Sequence, residues 1–301
     1  MELRVLRYFL TVAREESITK AAEVLHITQP TLSRQLAKME EDMGVTLFHR
    51  GTRKISLTNE GILLRRRAEE ILQLVEKTEQ ELTEQEEQVE GKVSIGCGEM
   101  ASVQILSELF QSFREKYTRV SFELFTATAD VVKEQMDRGL LDLGLLLEPI
   151  DMEKYDFIRL PMKENWVVLL RPDDPLAEKS AVTAEDLAAL PLILPRRMGV
   201  QNELASWFGD CYEKLNVVFT SNLNTNGAIM VYNGLAYSIV IEGAISLWDQ
   251  TKMTYRPLTP TLQSTSVLAW KRGQPFSSAA TKFIRYAKYL LDMGETEKVS
   301  I

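Results

Sequence analysis

The stretch from Ile18 to Met43 constrains this chain most, because its pattern predicts two short helices joined by a tight turn. Apolar residues recur at helical intervals in both segments. Thr28 is a favoured N-cap residue and Pro30 suits a first turn, so the second helix is predicted to start there. The inward positions are Ile18, Ala21, Ala22 and Leu25 in the first helix and Leu32, Leu36, Met39 and Met43 in the second.

The second helix turns a polar face outward, and this face has the side chains that proteins use on DNA. Gln29 can form a bidentate contact with a base edge, Ser33 lies one helical turn further on, and Arg34 suits a phosphate. Helix pairs of this kind also occur in domains that bind no nucleic acid. On the DNA-binding interpretation, the contacting residues of this helix are Gln29, Pro30, Thr31, Ser33, Arg34 and Lys38.

A basic hairpin is predicted after the second helix. Gly44 ends that helix, and residues 49–58 alternate polar and apolar side chains around a turn. Such a hairpin, or wing, is expected to bring Arg50 and Arg53 to DNA phosphates. The predicted hairpin strengthens the interpretation of the helix pair as a DNA-binding helix-turn-helix.

These features together resemble the winged helix-turn-helix of the LysR-type transcriptional regulators. Glu60 departs from the pattern, since the family usually has a small residue there. The resemblance implies an α and α/β architecture: a winged helix-turn-helix at 1–58, a linker and dimerisation helix at 59–91, and a two-subdomain α/β effector domain at 92–301, similar to periplasmic binding proteins. Subdomain I is expected at 92–161 and 267–301, and subdomain II at 162–266. The residues that carry the resemblance are Ala21, Ala22, Thr28, Gln29, Pro30, Ser33, Leu47, Phe48, Arg50, Arg53, Leu57, Thr58 and Gly61.

The net charge of −8 is unusual for a DNA-binding protein until it is divided along the chain. Residues 1–58 hold nine Lys and Arg against seven Asp and Glu, whereas residues 59–91 hold four against ten. A few well-placed arginines are enough at phosphates, and an acidic remainder discourages non-specific association.

The residues between 59 and 91 predict one long helix with a narrow apolar stripe. The stripe follows a seven-residue repeat with charges on both sides, which is typical of a coiled-coil seam. A helix packed on its own domain is the alternative. In the family that the chain resembles, this helix makes the dimer, so a dimer or a dimer of dimers is expected. The predicted dimerisation residues are Leu64, Ala68, Ile71, Val75 and Leu82.

From Lys92 onward strand-like and helix-like segments alternate, as in a parallel sheet with crossover helices. Ligands bind such sheets at the carboxyl ends of the strands, beside helix N-termini. The threonines and serine at these turns could instead be simple helix caps. Arg196 and Arg197 could form a solvated turn, and Glu99 could be a surface acid or pair with one of those arginines. The candidate effector-binding residues are Glu99, Met100, Ser102, Thr126, Thr128, Arg196, Asn224 and Thr225.

Three functional classes differ in how much of the sequence they explain. A DNA-binding regulator with a small-molecule sensor domain explains every segment, whereas a solute-binding protein explains only residues 92–301. The sequence indicates neither an enzyme nor a metal site. No pattern typical of catalytic residues or metal ligands is formed by the two histidines and two cysteines, His26, His49, Cys97 and Cys211. Cys97 fits a buried small hydrophobe better than a sensor thiol.

The expected partners follow from the regulator interpretation. They are double-stranded promoter or operator DNA, a small-molecule effector, further copies of the chain and, by its role, the transcription machinery. The turns favour a small carboxylate as effector, or a zwitterion if Glu99 binds a cationic group. No cofactor, no metal and no membrane are expected, and the composition and the N-terminus favour a cytoplasmic protein.

Overall fold

The structure is a computed structural model that describes residues 2–50, 55–83, 89–245, 248, 249 and 251–298. The chain divides into two compact units, residues 1–83 and 84–301. Within the described ranges, no helix is long and apolar enough to cross a membrane.

The first unit has three short helices, a two-stranded hairpin and one long helix. Its elements are α1 (Leu3–Glu15), α2 (Ile18–Val24), α3 (Gln29–Met43), β1 (Phe48–Arg50), β2 (Ile55–Leu57) and α4 (Asn59–Thr83). β1 and β2 pair antiparallel, with Phe48 opposite Leu57. One face of each short helix closes over a core that includes Phe9, Ala21 and Leu36. This is the predicted winged helix-turn-helix.

The helix ends explain the tight turns, with one correction. Ser17 caps α2 as its residue type favours, because its hydroxyl accepts a hydrogen bond from the Lys20 N–H at 3.4 Å. Thr28 holds the N-cap position of α3, as predicted, and its hydroxyl pairs with the Thr31 hydroxyl at 2.8 Å rather than with a backbone N–H. Met43, predicted to point inward, is 42% exposed because α3 ends beside it at Gly44, whose φ is +66°.

The first part of α4 packs on its own unit. Leu64 and Ala68 are buried in the core of that unit, and Ile71 packs at its edge, so the alternative of a helix packed on its own domain applies here. Leu64 and Ala68 therefore do not offer the free seam that the heptad pattern predicts. Val75 lies outside this core, and the side chain of Leu82 lies outside the described residues. Exposed apolar residues of α4 are Ile62, Leu63 and Leu74.

The second unit alternates strands and helices. Its helices are α5 (Val103–Lys116), α6 (Ala129–Asp137), α7 (Ala184–Ala188), α8 (Met198–Phe208), α9 (Asn224–Tyr232) and α10 (Ser278–Lys298). Its strands are β3 (Gly91–Cys97), β4 (Val120–Thr126), β5 (Leu143–Leu147), β6 (Tyr155–Leu170), β7 (Pro191–Pro195), β8 (Asn216–Ser221), β9 (Tyr237–Ile241), β10 (Thr254–Pro257) and β11 (Gln263–Lys271). The strand order is β4-β3-β5-β11-β6-β9-β7-β8, and β10 also pairs with β6.

Two strands join the two halves of this unit. β3 runs parallel to β4 and β5, and β7 runs parallel to β8 and β9, as the alternation predicts. The first part of β6 pairs with β11, which also pairs with β5, and its last part pairs with β9 and β10. β6 and β11 are thus the two crossing strands of a pair of α/β subdomains. The inner strands are buried on both faces, with Leu145 and Val168 in one core cluster and Leu146 and Val167 in others, whereas the outer strands β4 and β8 are mostly exposed.

Three elements have features that the alternating pattern does not predict. β6 runs from Tyr155 to Leu170 through Pro161, which lies where the register with β11 shifts and so does not end the strand. α8 ends at Phe208, since Gly209 adopts a φ of +52° and a 3-10 segment follows. The short β10 has no sequence pattern that predicts it.

Candidate functional site

The polar face of α3 is the first candidate site. Gln29, Pro30, Arg34 and Lys38 are exposed, and Thr31 and Ser33 are half-buried on the same helix. The bond between the Thr28 and Thr31 hydroxyls fixes the start of this face. The structure thus brings together the helical part of the predicted DNA-binding set. Arg53 and the side chain of Arg50 lie outside the described residues.

Glu40 positions the wing relative to α3, a role that the sequence pattern does not predict. Its carboxylate accepts hydrogen bonds from the backbone N–H groups of Leu47 and Phe48 at 2.7 and 3.2 Å. The Thr58 hydroxyl then donates to the Thr46 carbonyl at 2.7 Å and closes the hairpin. The hairpin is therefore held to α3 by side-chain hydrogen bonds as well as by the apolar core of the first unit.

A cleft between the two subdomains of the second unit is the second candidate site. It contains about 700 Å³ of empty space, counting its open mouth. The wall is mainly apolar, with Trp166 and Ile193 at its sides, and the turns after β3, β4, β7 and β8 meet at its rim. The predicted residues on this wall are Glu99, Met100, Thr128, Arg196 and Asn224.

Glu99 crosses this cleft. It lies in the turn after β3, in subdomain I, and accepts hydrogen bonds from the Asn224 N–H at 2.7 Å and the Thr225 hydroxyl at 2.8 Å, both at the start of α9 in subdomain II. Neither of the predicted alternatives, a surface acid or a partner of Arg196 or Arg197, describes this contact. A carboxylate at a helix N-terminus is favoured by the free N–H groups and by the helix dipole.

Ser102 is behind the wall rather than on it. It is fully buried, and its N–H and hydroxyl both donate to Glu164 Oε1 at 2.8 and 2.5 Å. Its hydroxyl also pairs with the Ser266 hydroxyl. Ser102 therefore fixes the start of α5 to the crossing strands, and the prediction that it contacts an effector is not supported by its position.

The two threonines after β4 differ in position. Thr126 is exposed at the end of β4 and does not line the cleft, so the predicted convergence fails for this residue. Thr128 lines the cleft and holds the N-cap position of α6 without a capping bond. Among the described residues its hydroxyl has no hydrogen-bond partner. It is therefore open to a ligand.

The two arginines after β7 also separate. Arg196 is exposed at the cleft, whereas the side chain of Arg197 is 10% exposed. Arg197 donates to the Leu147 carbonyl at 2.6 Å and to the Pro149 carbonyl, and it lies 3.4 Å from Asp130. The solvated-turn alternative thus fits Arg196 only, and Arg197 is a structural tie between the subdomains.

Sequence reasoning missed several wall residues. Trp166 donates its indole N–H to the Ser264 hydroxyl at 2.9 Å, behind the wall. Ser238 is 3% exposed and lines the cleft, and its hydroxyl has no hydrogen-bond partner among the residues that the structure describes. A serine inside the apolar run of β9 was the available signal. Burial raises the pKa of the Cys97 thiol, which agrees with a packed small side chain.

In the part of the chain that the structure describes, no three His, Cys, Asp or Glu residues are grouped to hold a metal ion. The cleft combines an apolar wall with polar turns at its rim.

Comparison with known proteins identifies both units. The model of the LysR substrate binding domain matches residues 86–292, and that of the bacterial regulatory helix-turn-helix protein, lysR family, matches residues 3–62. The uncharacterized HTH-type transcriptional regulator YybE of Bacillus subtilis (strain 168) is 31% identical over 288 residues, covering 95% of this chain and 98% of the relative. The Hca operon transcriptional activator HcaR of Escherichia coli (strain K12) is 30% identical over 281 residues, covering 91% and 93%.

Solved structures share the architecture. The full-length structure of CbnR in complex with its target DNA matches 96% of this chain and 99% of its own, with a TM-score of 0.74 and 21% identity. A second crystal structure, of CbnR as a LysR family transcriptional regulator, gives a TM-score of 0.74 at 20% identity, covering 97% of this chain and 99% of its own. At this identity the likeness concerns the fold alone.

Proposed function

The chain belongs to the LysR family of bacterial transcriptional regulators, and we propose that α3 reads operator DNA while a small carboxylate effector binds in the cleft of the second unit. It is a DNA-binding transcriptional regulator with an effector-binding domain, not an enzyme. The residue-level proposal rests on the presence of two features in one chain. The first unit has an exposed polar helix face, and the second unit has an apolar cleft with helix N-termini at its rim.

On the DNA side, the roles differ along α3. Gln29, at the exposed start of the helix, is proposed to contact a base edge, with Ser33 one turn further on. Arg34 and Lys38, both exposed, are proposed to contact phosphates. CbnR, whose fold this chain shares, was solved with its target DNA, and that structure supports the same use of the first unit here.

Two operator half-sites require a dimer, and we assign its seam to the part of α4 beyond Ile71. The stripe before that residue is already covered by the first unit, which leaves Ile71 at its edge and Val75 further on. A dimer or a dimer of dimers would place recognition helices in successive major grooves.

We also propose that residues 1–58 bind DNA, residues 59–91 link and dimerise, and residues 92–301 bind the effector. A cytoplasmic location is proposed because the protein has to reach DNA.

The effector is proposed to be a small carboxylate with an apolar body. Two helix N-termini at the cleft are already occupied, that of α5 by Glu164 and that of α9 by Glu99. The start of α6 is not, since the Thr128 hydroxyl has no partner in the described structure, and Arg196 adds a positive charge nearby. A zwitterion is the second candidate, because an ammonium group on the ligand would be attracted to Glu99.

Such an effector acts by binding one arrangement of the subdomains better than another, which shifts an existing equilibrium. A mobility-shift assay on DNA upstream of the gene tests the regulator role. A thermal-shift screen of carboxylates and amino acids, followed by footprinting with each hit, tests the ligand class. If the protein binds the DNA specifically but responds to no carboxylate, the proposed DNA-binding role is supported and the proposed effector class is wrong.

A further inference from the structure

The contact of Glu99 with α9 joins the two walls of the cleft. No residue of α9 itself provides an equivalent capping group at the start of this helix. α9 has no side-chain cap of its own and no acidic residue in its first turn. The residue before it, Leu223, has no group that accepts a hydrogen bond from a first-turn N–H. The start of α9 therefore receives its one described carboxylate from the opposite subdomain, at 2.7 Å from the Asn224 nitrogen.

Glu164 provides a comparison within the same chain. It also places a carboxylate at a helix N-terminus, that of α5, but it is 1% exposed and accepts from the Ala101 N–H at 3.0 Å as well as from Ser102. No ligand can replace it without opening the core. Glu99, in contrast, lies on the wall of the open cleft, so its place is accessible to a dissolved anion.

A second polar group points to a ligand at this end of the cleft. The Ser238 hydroxyl has no hydrogen-bond partner among the described residues, although Ser238 is 3% exposed and lines the cleft. It lies beneath Gly227 of α9, where a Cβ would come within 3.5 Å of the hydroxyl oxygen. Its hydroxyl is therefore available to a ligand or to water in the cleft.

We propose that Glu99 holds, in the protein without effector, the place of a second anionic group of the effector at the start of α9, in addition to the carboxylate proposed at the start of α6. The effector binds there by exchanging this second group for the Glu99 carboxylate. This rests on the proposed function and names one subsite of its cleft. Once displaced, Glu99 carries the same charge as the ligand group that replaces it, and the two repel each other. The bond across the cleft is lost, and the equilibrium between subdomain arrangements changes. Glu99 is then a specificity-determining residue, since a ligand without this second anionic group cannot replace it.

Chemical rescue with acetate tests, in the full-length protein, whether a dissolved carboxylate binds in the place of Glu99. Glu99→Ala removes the carboxylate and leaves room for acetate at the same N–H groups. We expect hydrogen exchange of the peptide that contains Asn224 and Thr225 to become roughly tenfold faster, because a bond to a charged acceptor is lost. Sodium acetate should slow it again, whereas sodium chloride at equal ionic strength and the neutral analogue acetamide should not.

Two further variants make the result decisive. Glu115→Ala removes the same charge from an exposed position of α5 and should leave this exchange unchanged. Glu99→Gln keeps the length of the side chain and should give a smaller increase in exchange. Unchanged exchange in Glu99→Ala, no effect of acetate on that variant, or equal rescue by acetamide would overturn the proposal. Specific DNA binding by the wild type in the mobility-shift assay is a separate result, so a failure here does not count against the regulator.

Discussion

Ser102 and Glu164 are 62 positions apart in the sequence, yet Ser102 donates both its N–H and its hydroxyl to one oxygen of Glu164, at 2.8 and 2.5 Å. Glu164 belongs to the crossing strand β6, and its neighbour Asn165 donates to Glu242 at 2.9 Å on the other side. Adjacent residues of one strand therefore hold both subdomains. The crossing point is fixed by polar bonds as well as by backbone pairing.

The first prediction follows from this contact. Glu164→Gln places an amide NH2 among groups that donate, so bonds are lost and a buried polar atom is left unsatisfied. We expect the second unit to lose about 2–4 kcal/mol of unfolding free energy, measured by denaturant titration. Glu115→Gln on the exposed side of α5 is the matched control, with an expected change within about 0.5 kcal/mol. Equal stability of the two variants would mean that the Glu164 bonds are weak in solution.

The second prediction concerns Gly61 and Leu47. A Cβ at Gly61 would lie 2.2 Å from the Leu47 carbonyl oxygen, which accepts a hydrogen bond from the Thr58 N–H at 3.0 Å. Gly61→Ala must therefore move the backbone at the base of the wing, at a cost of roughly 1–3 kcal/mol. Calorimetry should show a lower melting temperature for the first unit, and operator affinity should fall. Gln73→Ala, on an exposed face of α4, should change neither quantity.

The sequence predicts the helices, the parallel strands and the order of the units because these depend on local periodicity and capping. It also predicts that the turns bearing Glu99, Thr128, Arg196 and Asn224 meet at one edge, since the carboxyl ends of parallel strands converge. It does not show which polar groups are already used by the fold. Ser102 and Glu99 lie in the same strand-to-helix turn of the sequence pattern. Only the three-dimensional contacts show that Ser102 is bound by the buried carboxylate of Glu164, whereas Glu99 contacts α9 across the cleft.

The third prediction separates base and phosphate contacts on α3. Gln29→Ala should lose roughly 1–3 kcal/mol on the specific operator and little on random DNA, because an amide that reads a base edge has no role elsewhere. Arg34→Ala should weaken both and lower the salt slope by about 1. Fluorescence anisotropy over a salt series measures both quantities. If Gln29→Ala weakens the two DNAs equally, Gln29 does not contribute to specificity.

The fourth prediction tests the dimer seam. Val75 lies on the predicted stripe but outside the core of its own unit, so Val75→Glu is expected to leave that unit folded. A charge buried without a partner costs several kcal/mol, and the dimer should dissociate. Sedimentation velocity should show a smaller species, and operator affinity should fall. Gln73→Glu adds the same charge at an exposed neighbouring position and should sediment like the wild type. An intact Val75→Glu dimer would point to a seam elsewhere.

The last prediction concerns the effector cleft and uses two threonines that are two residues apart. Thr128→Val keeps the shape of the side chain and removes a hydroxyl that has no described partner at the cleft, so it should not disturb the protein without effector. Operator affinity in that state should stay within about 0.5 kcal/mol of the wild type, while the response to a carboxylate found by the thermal-shift screen should be lost or strongly weakened. Thr126→Val makes the same change at the exposed end of β4, away from the cleft, and should respond normally. Footprinting with and without the carboxylate compares the three proteins. A normal response of Thr128→Val would show that the ligand's carboxylate does not bind at the start of α6, because a donor lost from a charged acceptor cannot be silent.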